Sequence, residues 1–408
     1  MTVFEDLEWR GLIQDISSPE LKEKLDHDHL TFYIGTDPTA DSMHIGHYSS
    51  FLISKRLAKA GHHPILLIGG ATGLIGDPKP DSERPIISKE EVEHNIEGLT
   101  MQAEKIFGFE VVNNWDWTKD INVCDFLRDY GKYFSVNYML AKDHVKSRMD
   151  VGITYAEFSY MILQALDFLH LYETHHCTLQ VAGSDQWGNI TSGIELIRKK
   201  LDQEVYGMVM PLVVDSTGKK FGKTEGNALW LDEEKTSSYE LYQYFLNLED
   251  NSIVDYLKML TFLSKEEIER ISEEHQKDPG KRIAQRALAR EIITDLHGDG
   301  KYEEAVKISE ALFSGDIKTF TGKDIEIAFK GLSPIEGKAE GNIVDFLVDH
   351  QICSSKREAR EFIQNGSITL NGEKVDSLEK EIHKEEGIDG KYFVVRRGKK
   401  KYYLVVFS

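Results

Sequence analysis

Two histidines that lie three residues apart, His44 and His47, form the most chemically suggestive pair in the sequence. They begin a segment whose apolar residues recur at helical spacing, so both are expected on one face at a helix N-terminus, where unpaired N–H groups favour phosphate. Gly35 precedes them at the predicted carboxyl end of a strand, where open α/β sheets bind nucleotides, and Gly46 leaves room for an adenine or a ribose. Two surface histidines would explain the spacing alone, but the preceding strand and glycine favour a phosphate site.

A second group with suitable chemistry is Lys220, Lys223 and Thr224, which lie in a polar, glycine-flanked loop. Two lysines and a hydroxyl can hold a triphosphate and strengthen their contacts as negative charge moves toward the leaving pyrophosphate. The spacing alone is weak evidence, because a solvated basic loop has the same composition.

Three polar residues follow one face of a predicted helix at 154–172. Tyr160, Gln164 and Asp167 are spaced i, i+4 and i+7 among apolar neighbours, which places them in one row. In a packed core these groups would lack hydrogen-bond partners, so the pattern favours a site for a polar ligand. A helix with a solvated polar face is the alternative for this segment on its own.

The elements that must position these residues alternate between short apolar runs and helical patterns, which indicates a Rossmann-like parallel α/β sheet. The predicted strands are 31–34, 64–68, 178–182 and 208–214. The predicted helices are 45–58, 89–108, 121–133, 154–172 and 186–201.

The chain of 408 residues is too long for one ordinary core, so several domains are expected. Strand signals disappear in the third quarter of the chain, and a small module of mixed pattern follows. The predicted divisions are a Rossmann-like catalytic domain at 1–225 with an insertion near 109–155, an α-helical domain at 226–325, a linker at 326–340 and an α+β module at 341–408.

The α+β module combines a short basic helix at 354–366 with a hairpin that turns at Asn371 and Gly372. A basic helix face beside a hairpin suits contact with an RNA backbone, although a charge run is commonly only a solvated turn. The candidate RNA-binding residues are Lys356, Arg357, Arg360, Arg396 and Arg397.

Composition excludes several classes of protein. Hydrophobic residues make up 40% of the chain and charged residues 29%, which is typical of a soluble globular protein. No apolar run approaches the roughly 18 residues that span a bilayer, and the acidic first residues are unlike a signal peptide. The net charge is −20, yet residues 341–408 carry +1, so an RNA partner would be held by local patches.

The three cysteines show no CxxC spacing, which suits a reducing cytoplasm. The cluster formed by His170, His175, His176 and Cys177 matches no common zinc pattern and reads as a helix end, so no metal site is expected.

The segments PTADSMHIGH at 38–47 and KFGKT at 220–224 resemble the HIGH and KMSKS signatures of class I aminoacyl-tRNA synthetases. The spelling KFGKT is similar to that of bacterial tyrosyl-tRNA synthetases. The resemblance covers essentially the whole chain, including GGATGLIGDP at 69–78, YMILQALDFLHLYE at 160–173 and GSDQWGNIT at 183–191. The C-terminal module is similar to an S4-type RNA-binding module.

The resemblance implies a tyrosine site in which Asp167 and Tyr33 hydrogen-bond the phenol hydroxyl, and a carboxylate suits that task because it accepts the phenol proton. Three residues are implied to hold the α-ammonium group, namely Asp77, Tyr160 and Gln164, and Gln186 is implied to lie near the reacting carboxylate. Discrimination of this kind requires no editing domain.

The resemblance also implies an ATP site lined by Gly35, Asp37, His44, Gly46, His47, Gly183, Asp185 and Lys223. His44, His47 and Thr39 would act on the phosphates, and Lys220, Lys223 and Thr224 on the pyrophosphate. Mg²⁺ is expected to accompany ATP rather than to occupy a protein site. The implied partners are L-tyrosine, ATP and tRNA(Tyr), and the implied state is a cytoplasmic homodimer formed through the insertion.

One segment departs from the family pattern: the loop after Asp77 is shorter by one residue. Arg84 maps onto the family's loop arginine, whereas Lys79 has no certain counterpart. Three rival functions remain open, namely a tryptophanyl-type synthetase, a small-molecule nucleotidyltransferase and a non-catalytic RNA-binding protein derived from a synthetase.

Overall fold

The structure is a computed structural model of the chain. It describes residues 1–78, 87–150, 152–214, 221–222, 228–314, 317–330, 332–337, 340–398 and 401–407. These residues form two compact units, the first at 1–236 and 248–296 and the second at 237–247 and 297–408. Within the described ranges, no helix is both long and apolar enough to cross a membrane.

The first unit is built on a six-stranded sheet in the order β1-β6-β5-β2-β3-β4, in which only the pair β1 and β6 is antiparallel. The strands are β1 (Asp15–Ile16), β2 (Thr31–Thr36), β3 (His63–Ile68), β4 (Glu110–Asn113), β5 (Cys177–Gly183) and β6 (Tyr206–Met210). The predicted Rossmann-like fold is therefore confirmed. The strand order reverses between β2 and β5, which is where sheets of this kind bind ligands.

The observed strand β6 (Tyr206–Met210) starts before the predicted strand at 208–214 and ends before it, at Met210. The next residue is Pro211, which has no N–H to continue the ladder.

Helices cover both faces of this sheet. The helix α11 (Ser238–Leu246) belongs to the second unit. The helices of the first unit, in chain order, are α1 (Val3–Trp9), α2 (Glu20–His27), α3 (Ile45–Lys59), α4 (Lys89–Gln102), α5 (Trp115–Thr118), α6 (Val123–Asp125), α7 (Val136–Leu140), α8 (Asp143–Lys146), α9 (Tyr155–His175), α10 (Trp187–Leu201), α12 (Ile253–Leu260), α13 (Lys265–Lys277) and α14 (Ile283–His297).

The predicted helix at 121–133 is wrong as a continuous element. Short α6 is followed by a π-turn at Phe126–Tyr130 and a 3₁₀ turn at Gly131–Tyr133. Gly131 is a poor helix former, which is consistent with the change of helix type at that residue.

Helix α9 carries the predicted polar row, and its start is firmly set. Thr154 caps the helix through a reciprocal pair of hydrogen bonds with Glu157. Arg148 also binds Glu157 through two N–O contacts of 2.8 and 3.0 Å, and both side chains are buried. These contacts fix the start of α9 against the insertion. They thereby hold the inner face of α9 over the sheet.

The second unit contains α11, α15 (Asp299–Ser314), α16 (Gly322–Ala328), α17 (Ile343–Asp349) and α18 (Lys356–Gln364). Its sheet has the order β10-β9-β12-β13-β7, and β8 pairs with β11. These strands are β7 (Ile335–Gly337), β8 (Gly341–Asn342), β9 (Ile368–Leu370), β10 (Glu373–Lys374), β11 (Glu381–Ile382), β12 (Tyr392–Arg397) and β13 (Lys401–Phe407).

The predicted hairpin is confirmed, since Asn371 and Gly372 join β9 to β10 with φ values of +48° and +83°. Strand β7 lies within the segment 326–340, and it pairs with β13. The functional domain boundaries given above remain a prediction.

Candidate active site

A cavity of about 230 Å³ opens at the carboxyl ends of β2, β3 and β5. It brings together predicted site residues from four segments of the chain, namely Tyr33, Gly35, Asp37, Thr39, His47, Asp77, Tyr160, Gln164, Asp167 and Gln186. Residues that sequence reasoning did not select complete the wall: Thr36, Leu67, Thr72, Gln180 and Ala182.

One end of the cavity is formed by Asp167, which is only 2% exposed. Its two carboxylate oxygens accept hydrogen bonds from Asn114 Nδ2 at 3.0 Å and from Trp117 Nε1 at 2.9 Å. Burial raises the pKa of Asp167 to about 7, although both hydrogen bonds act in the opposite direction. Because a carboxylate offers about four acceptor positions, Asp167 retains capacity for a further donor.

Tyr33 stands at the same end, and its ring packs edge-on against Phe168 at 5.4 Å. Its buried hydroxyl has no hydrogen-bond partner among the described residues, and burial raises the Tyr33 pKa. A buried polar group without a partner costs about 1–3 kcal/mol. A ligand hydroxyl placed between Tyr33 and Asp167 would supply the missing partner.

Two further carboxylates, Asp37 and Asp77, line the same cavity, in the part that is called the Asp37–Asp77 end below. Asp37 accepts hydrogen bonds from the Tyr160 hydroxyl at 3.1 Å and from the Thr72 hydroxyl at 2.9 Å. Asp77 accepts from Gln186 Nε2 at 2.9 Å and from Asn189 Nδ2 at 3.1 Å. This end therefore presents fixed negative charge, which suits a cationic group of the ligand.

The two signature histidines pack against each other at the start of α3, with ring centroids 3.9 Å apart. His44 is the N-cap residue, and its Nδ1 accepts from the Gly46 N–H at 3.1 Å, while His47 Nδ1 accepts from the His44 N–H at 3.2 Å. Since each Nδ1 is an acceptor, each neutral ring carries its proton on Nε2. The pair thus has two Nε2–H donors at a helix N-terminus, and that of His47 lies 3.4 Å from the Thr36 hydroxyl oxygen.

Gly46 has a structural role as well as the predicted ligand role. A Cβ at this position would lie 2.8 Å from His44 Cε1, so only glycine lets the His44 ring fold back to cap the helix. The expectation that Gly46 also admits a nucleotide stays a prediction.

Four predicted catalytic residues, Arg84, Lys220, Lys223 and Thr224, lie outside the described residues, as does Lys79. Their neighbours Phe221 and Gly222 are described and lie beside the histidines. A Cβ on Gly222 would be 1.6 Å from Ile45 Cγ2, and its φ is +80°. The Leu229 N–H donates to the Gly222 carbonyl, and the Ile45 N–H donates to the Leu229 carbonyl. The two signature motifs therefore meet at the first residue of α3.

Gly183 is the last residue of β5 and Asp185 lies two residues further on, but neither belongs to the cavity wall. Gly183 leaves space for the Asp185 carboxylate, because a Cβ would lie 2.7 Å from its Oδ1. Their part in ATP binding remains a prediction.

Sequence reasoning assigned no site role to Asn114 or Trp117. Trp117 packs on the core, and its ring also stacks on His170 at 4.3 Å. Its indole N–H, however, binds Asp167. The available signal was their position directly after β4, at the edge of the sheet where sites form.

The predicted RNA-binding residues fall into two groups. Lys356, Arg357 and Arg360 are exposed on α18, as predicted from the helical pattern. Arg397 is instead half-buried, since its guanidinium donates to the Ile352 carbonyl and lies 3.8 Å from Glu358. Arg396 is also half-buried. Contact of either group with RNA stays a prediction.

Comparison with protein families matches residues 25–314 to the family described as tRNA synthetases class I (W and Y). Residues 324–405 match the tyrosine--tRNA ligase SYY-like C-terminal domain.

Comparison with curated proteins finds relatives over the full chain. A tyrosine--tRNA ligase of Staphylococcus carnosus is 50% identical over 100% of this chain and 99% of its own length. A tyrosine--tRNA ligase of Listeria monocytogenes is 48% identical over 100% of both chains. Among solved structures, a C-terminally truncated mitochondrial tyrosyl-tRNA synthetase of Aspergillus nidulans is similar with a TM-score of 0.69 and 32% identity, over 76% of this chain and 94% of that one. The resemblance stated from the signature motifs is therefore confirmed.

Proposed function

Because the chain belongs to the class I tRNA synthetases of the tryptophan and tyrosine type, we propose that it joins L-tyrosine to tRNA(Tyr) in two steps that consume ATP. In the first step an oxygen of the tyrosine carboxylate attacks the α-phosphorus of ATP, which forms tyrosyl adenylate and releases pyrophosphate. In the second step a terminal ribose hydroxyl of the tRNA attacks the tyrosyl carbonyl, and AMP leaves. The carboxylate is already ionised, so the first step needs no general base.

The observation that carries the assignment to tyrosine is that Asp167 and the unpartnered Tyr33 hydroxyl belong to the wall of one cavity in the described part of the chain. A tyrosine phenol would donate to Asp167 and contact the Tyr33 hydroxyl. Phenylalanine would leave both groups buried and without that partner. Sites that bind a substrate hydroxyl reject the analogue that lacks it by about 10⁴–10⁵-fold, and tyrosyl-tRNA synthetase is itself the known example of this effect.

At the other end of the cavity, Asp77, Tyr160 and Gln164 hold the α-ammonium group in this proposal, and Gln186 lies near the reacting carboxylate. The hydrogen bonds from Gln186 and Asn189 fix the Asp77 carboxylate in one orientation. Asp37 is fixed in the same way by Tyr160 and Thr72. Tyrosine would then lie with its carboxylate toward the open side, where ATP enters.

ATP is proposed to lie along Gly35, Asp37, Gly46, Gly183 and Asp185, with its phosphates at the start of α3. The Nε2–H groups of His44 and His47, together with Thr39, would donate to the phosphate oxygens as charge builds on them, which lowers the barrier without proton transfer. Lys220, Lys223, Thr224 and Arg84 would act on the leaving pyrophosphate. Mg²⁺ enters as part of the substrate, bound to ATP.

The tRNA is proposed to contact the α-helical segment at 226–325 and the C-terminal module at 341–408. The exposed basic face of α18 supports the second contact, because Arg357 and Arg360 have no burial that would keep them from an RNA backbone. The free cysteines Cys124, Cys177 and Cys353 support the proposed cytoplasmic location.

A homodimer formed through the insertion near 109–155 is also proposed. Large apolar side chains are exposed on this part of the first unit: Val123, Leu127, Val136, Met149 and Tyr155 are 49–73% exposed. Exposed apolar side chains of this number on one segment favour a protein interface. Sedimentation at micromolar concentration should give a dimer, and a monomer would contradict the proposal.

Tyrosine-dependent exchange of pyrophosphate into ATP tests the proposed activity most simply. The chain should catalyse exchange with tyrosine and far more slowly with phenylalanine or tryptophan. Preference for tryptophan would indicate a tryptophanyl-type enzyme, and exchange with no amino acid would favour a non-catalytic RNA-binding protein.

A further inference from the structure

The segment that leads into the two signature histidines, residues 38–43, lies against one face of α4. Gln102, the last residue of that helix, makes two hydrogen bonds to the segment. Its Oε1 accepts from the Met43 N–H at 2.7 Å, and its Nε2 donates to the Ser42 hydroxyl at 2.8 Å. Ser42 and Met43 are fully buried, with 1% and 0% of their surface exposed. The Gln102 amide therefore reaches into a packed part of the first unit.

Two other residues of α4 contact the same segment. Asn95, which is buried, donates through Nδ2 to the Pro38 carbonyl at 3.0 Å. Gly98 lies so close to the segment that a Cβ at this position would be 2.1 Å from the Asp41 carbonyl oxygen. Asn95, Gly98 and Gln102 are spaced i, i+3 and i+7, which places them on one face of the helix. This face of α4 thus contacts the segment at its start, its middle and its end.

Both backbone polar groups of Met43 are paired, each with a different part of the chain. Its N–H donates to Gln102, and its carbonyl accepts from the Leu231 N–H at 2.8 Å. The next residue, His44, forms a backbone bridge with Trp230. Without the Gln102 amide the buried Met43 N–H would lose its acceptor, and a buried donor without an acceptor is unfavourable. The segment would therefore be expected to shift until this N–H found another partner.

We propose that Gln102 is a positioning residue for adenylate formation: it holds residues 38–43 against α4 and thereby places Thr39 and His44 at the phosphates of ATP. This inference rests on the proposed function. Gln102 lies outside the cavity wall, to which Thr39 belongs, so it acts through the segment and not by contact with a substrate. A shift of groups that contact the developing charge lowers the chemical rate and leaves the binding of tyrosine unchanged.

The test measures tyrosyl adenylate formation by rapid mixing at saturating tyrosine and ATP, and records both the rate constant and the amplitude. Gln102→Met keeps the length of the side chain and removes both hydrogen bonds. It should lower the rate constant by about 30- to 100-fold, the effect of a displacement of about 1 Å. The Kd for tyrosine should change by less than about twofold, within the scatter expected for independent sites. The amplitude counts folded active sites, so a loss of stability alone would lower the amplitude and not the rate constant.

Two further variants separate the position of the segment from the hydrogen bonds themselves. Gln102→Glu keeps an acceptor for the Met43 N–H, so its rate constant should stay within about fivefold of the wild type. Gly98→Ala keeps every hydrogen-bonding group, but its methyl group would displace the Asp41 carbonyl, so adenylate formation should slow by about tenfold or more. Alanine is also the better helix former, so this variant does not weaken α4 through helix propensity.

Matched controls exist for both kinds of substitution, and both should leave the rate of adenylate formation unchanged. Gln203→Met removes an exposed amide that accepts from the Tyr172 hydroxyl. Gly300→Ala adds a methyl group to a helical glycine that has open space around it. A further measurement repeats Gln102→Met in a His44→Ala background, where its effect should be smaller by about threefold or more if Gln102 acts through this histidine.

A wild-type rate constant in either Gln102→Met or Gly98→Ala would overturn the inference, as would an unchanged effect of Gln102→Met in the His44→Ala background. A lower amplitude at an unchanged rate constant would also overturn it and leave Gln102 a residue of general stability. If Gln102→Met does not fold, the rate constant of Gly98→Ala decides. Failure of the wild-type chain to exchange pyrophosphate with tyrosine would instead overturn the proposed function, so the two failures are distinguishable.

Discussion

The two ends of the cavity contain the same kind of group in different surroundings. Asp167 is buried, bound by Asn114 and Trp117, and raised in pKa to about 7. Asp37 and Asp77 are only partly buried, and neutral donors from Tyr160 and Gln186 orient them. In the proposed function the Asp167 end would therefore recognise a neutral hydroxyl through groups that are already fixed, whereas the Asp37–Asp77 end would attract a cationic group.

This difference separates recognition from chemistry. Binding that is equal in the ground state and the transition state affects substrate affinity, whereas groups that gain contacts as charge develops raise the chemical rate. In the proposed function the Asp167 end would contact a phenol that does not react, and the histidine pair would face the phosphates, where the charge changes. Substitutions at the two ends should thus alter different kinetic constants.

The largest effect is expected at the histidine pair, which is proposed to contact the phosphates. His47→Ala removes an Nε2–H donor and should lower the rate of adenylate formation by about 10²–10³-fold, because removal of one donor to a developing negative charge has that effect. The KM for tyrosine should change by less than about threefold. Rapid-mixing measurement of adenylate formation checks this. His63→Ala, at an exposed histidine outside the cavity, should behave as the wild type.

A smaller effect, on the KM for tyrosine, is expected at the Asp167 end. Asp167→Asn replaces the charged acceptor of the phenol by an amide, whose NH₂ group also faces the donors of Asn114 and Trp117. The kcat/KM for tyrosine should fall by about 10- to 100-fold, the range for a lost hydrogen bond to a charged group. Most of the loss should appear in KM in the pyrophosphate exchange assay. A loss confined to kcat would mean that the two ends do not divide the work in this way.

Chemistry carried by contiguous motifs could be predicted from the sequence. His44 and His47 lie in one short segment, and helical spacing alone placed Tyr160, Gln164 and Asp167 in one row. Asn114 and Trp117 could not be predicted, because they lie 53 and 50 residues from Asp167 in the chain. They reach it only because β4 pairs with β3 at the edge of the sheet. The end of β6 before Pro211 could be predicted from the sequence, because proline has no N–H for the ladder. The antiparallel strand β1 could not be predicted, because it pairs with β6, which is distant in the chain.

The raised pKa of Asp167 predicts that the stability of the folded chain depends on pH. The folded pKa is raised to about 7 from an unfolded value near 3.9, so the folded chain without ligand binds the proton more tightly over that interval. The contribution to stability is therefore largest at low pH, and it falls by a few kcal/mol as pH rises from about 4 to about 7. Chemical unfolding of wild type and Asp167→Asn across this interval should show a steeper decline of stability in the wild type, by a few kcal/mol, than in the variant.

Tyrosine binding should show the opposite trend. The phenol donates to ionised Asp167, so the KM for tyrosine should fall as pH rises through about 7 and then become constant. A pH-independent KM in this interval would indicate that Asp167 does not accept the phenol proton.

The smallest of these effects is expected for a residue that contacts Asp167 but does not itself line the cavity. Trp117→Phe removes the indole donor to Asp167 and keeps an aromatic ring beside His170. The KM for tyrosine should rise by about fivefold, and the pH at which it becomes constant should move upward, because the lost hydrogen bond had lowered the Asp167 pKa. Trp115→Phe, at the neighbouring indole, is the matched control and should change neither value.

The Tyr33 hydroxyl offers the most direct test of phenol recognition, since it is buried and has no hydrogen-bond partner in the part of the chain that the structure describes. The measurement is the ratio of kcat/KM for tyrosine to kcat/KM for phenylalanine in pyrophosphate exchange, compared between wild type and Tyr33→Phe. We predict that the ratio falls by about tenfold through tyrosine alone, while the variant is as stable as the wild type or slightly more so. An unchanged ratio, or an equal loss with both amino acids, would contradict the assignment of this end of the cavity to the phenol.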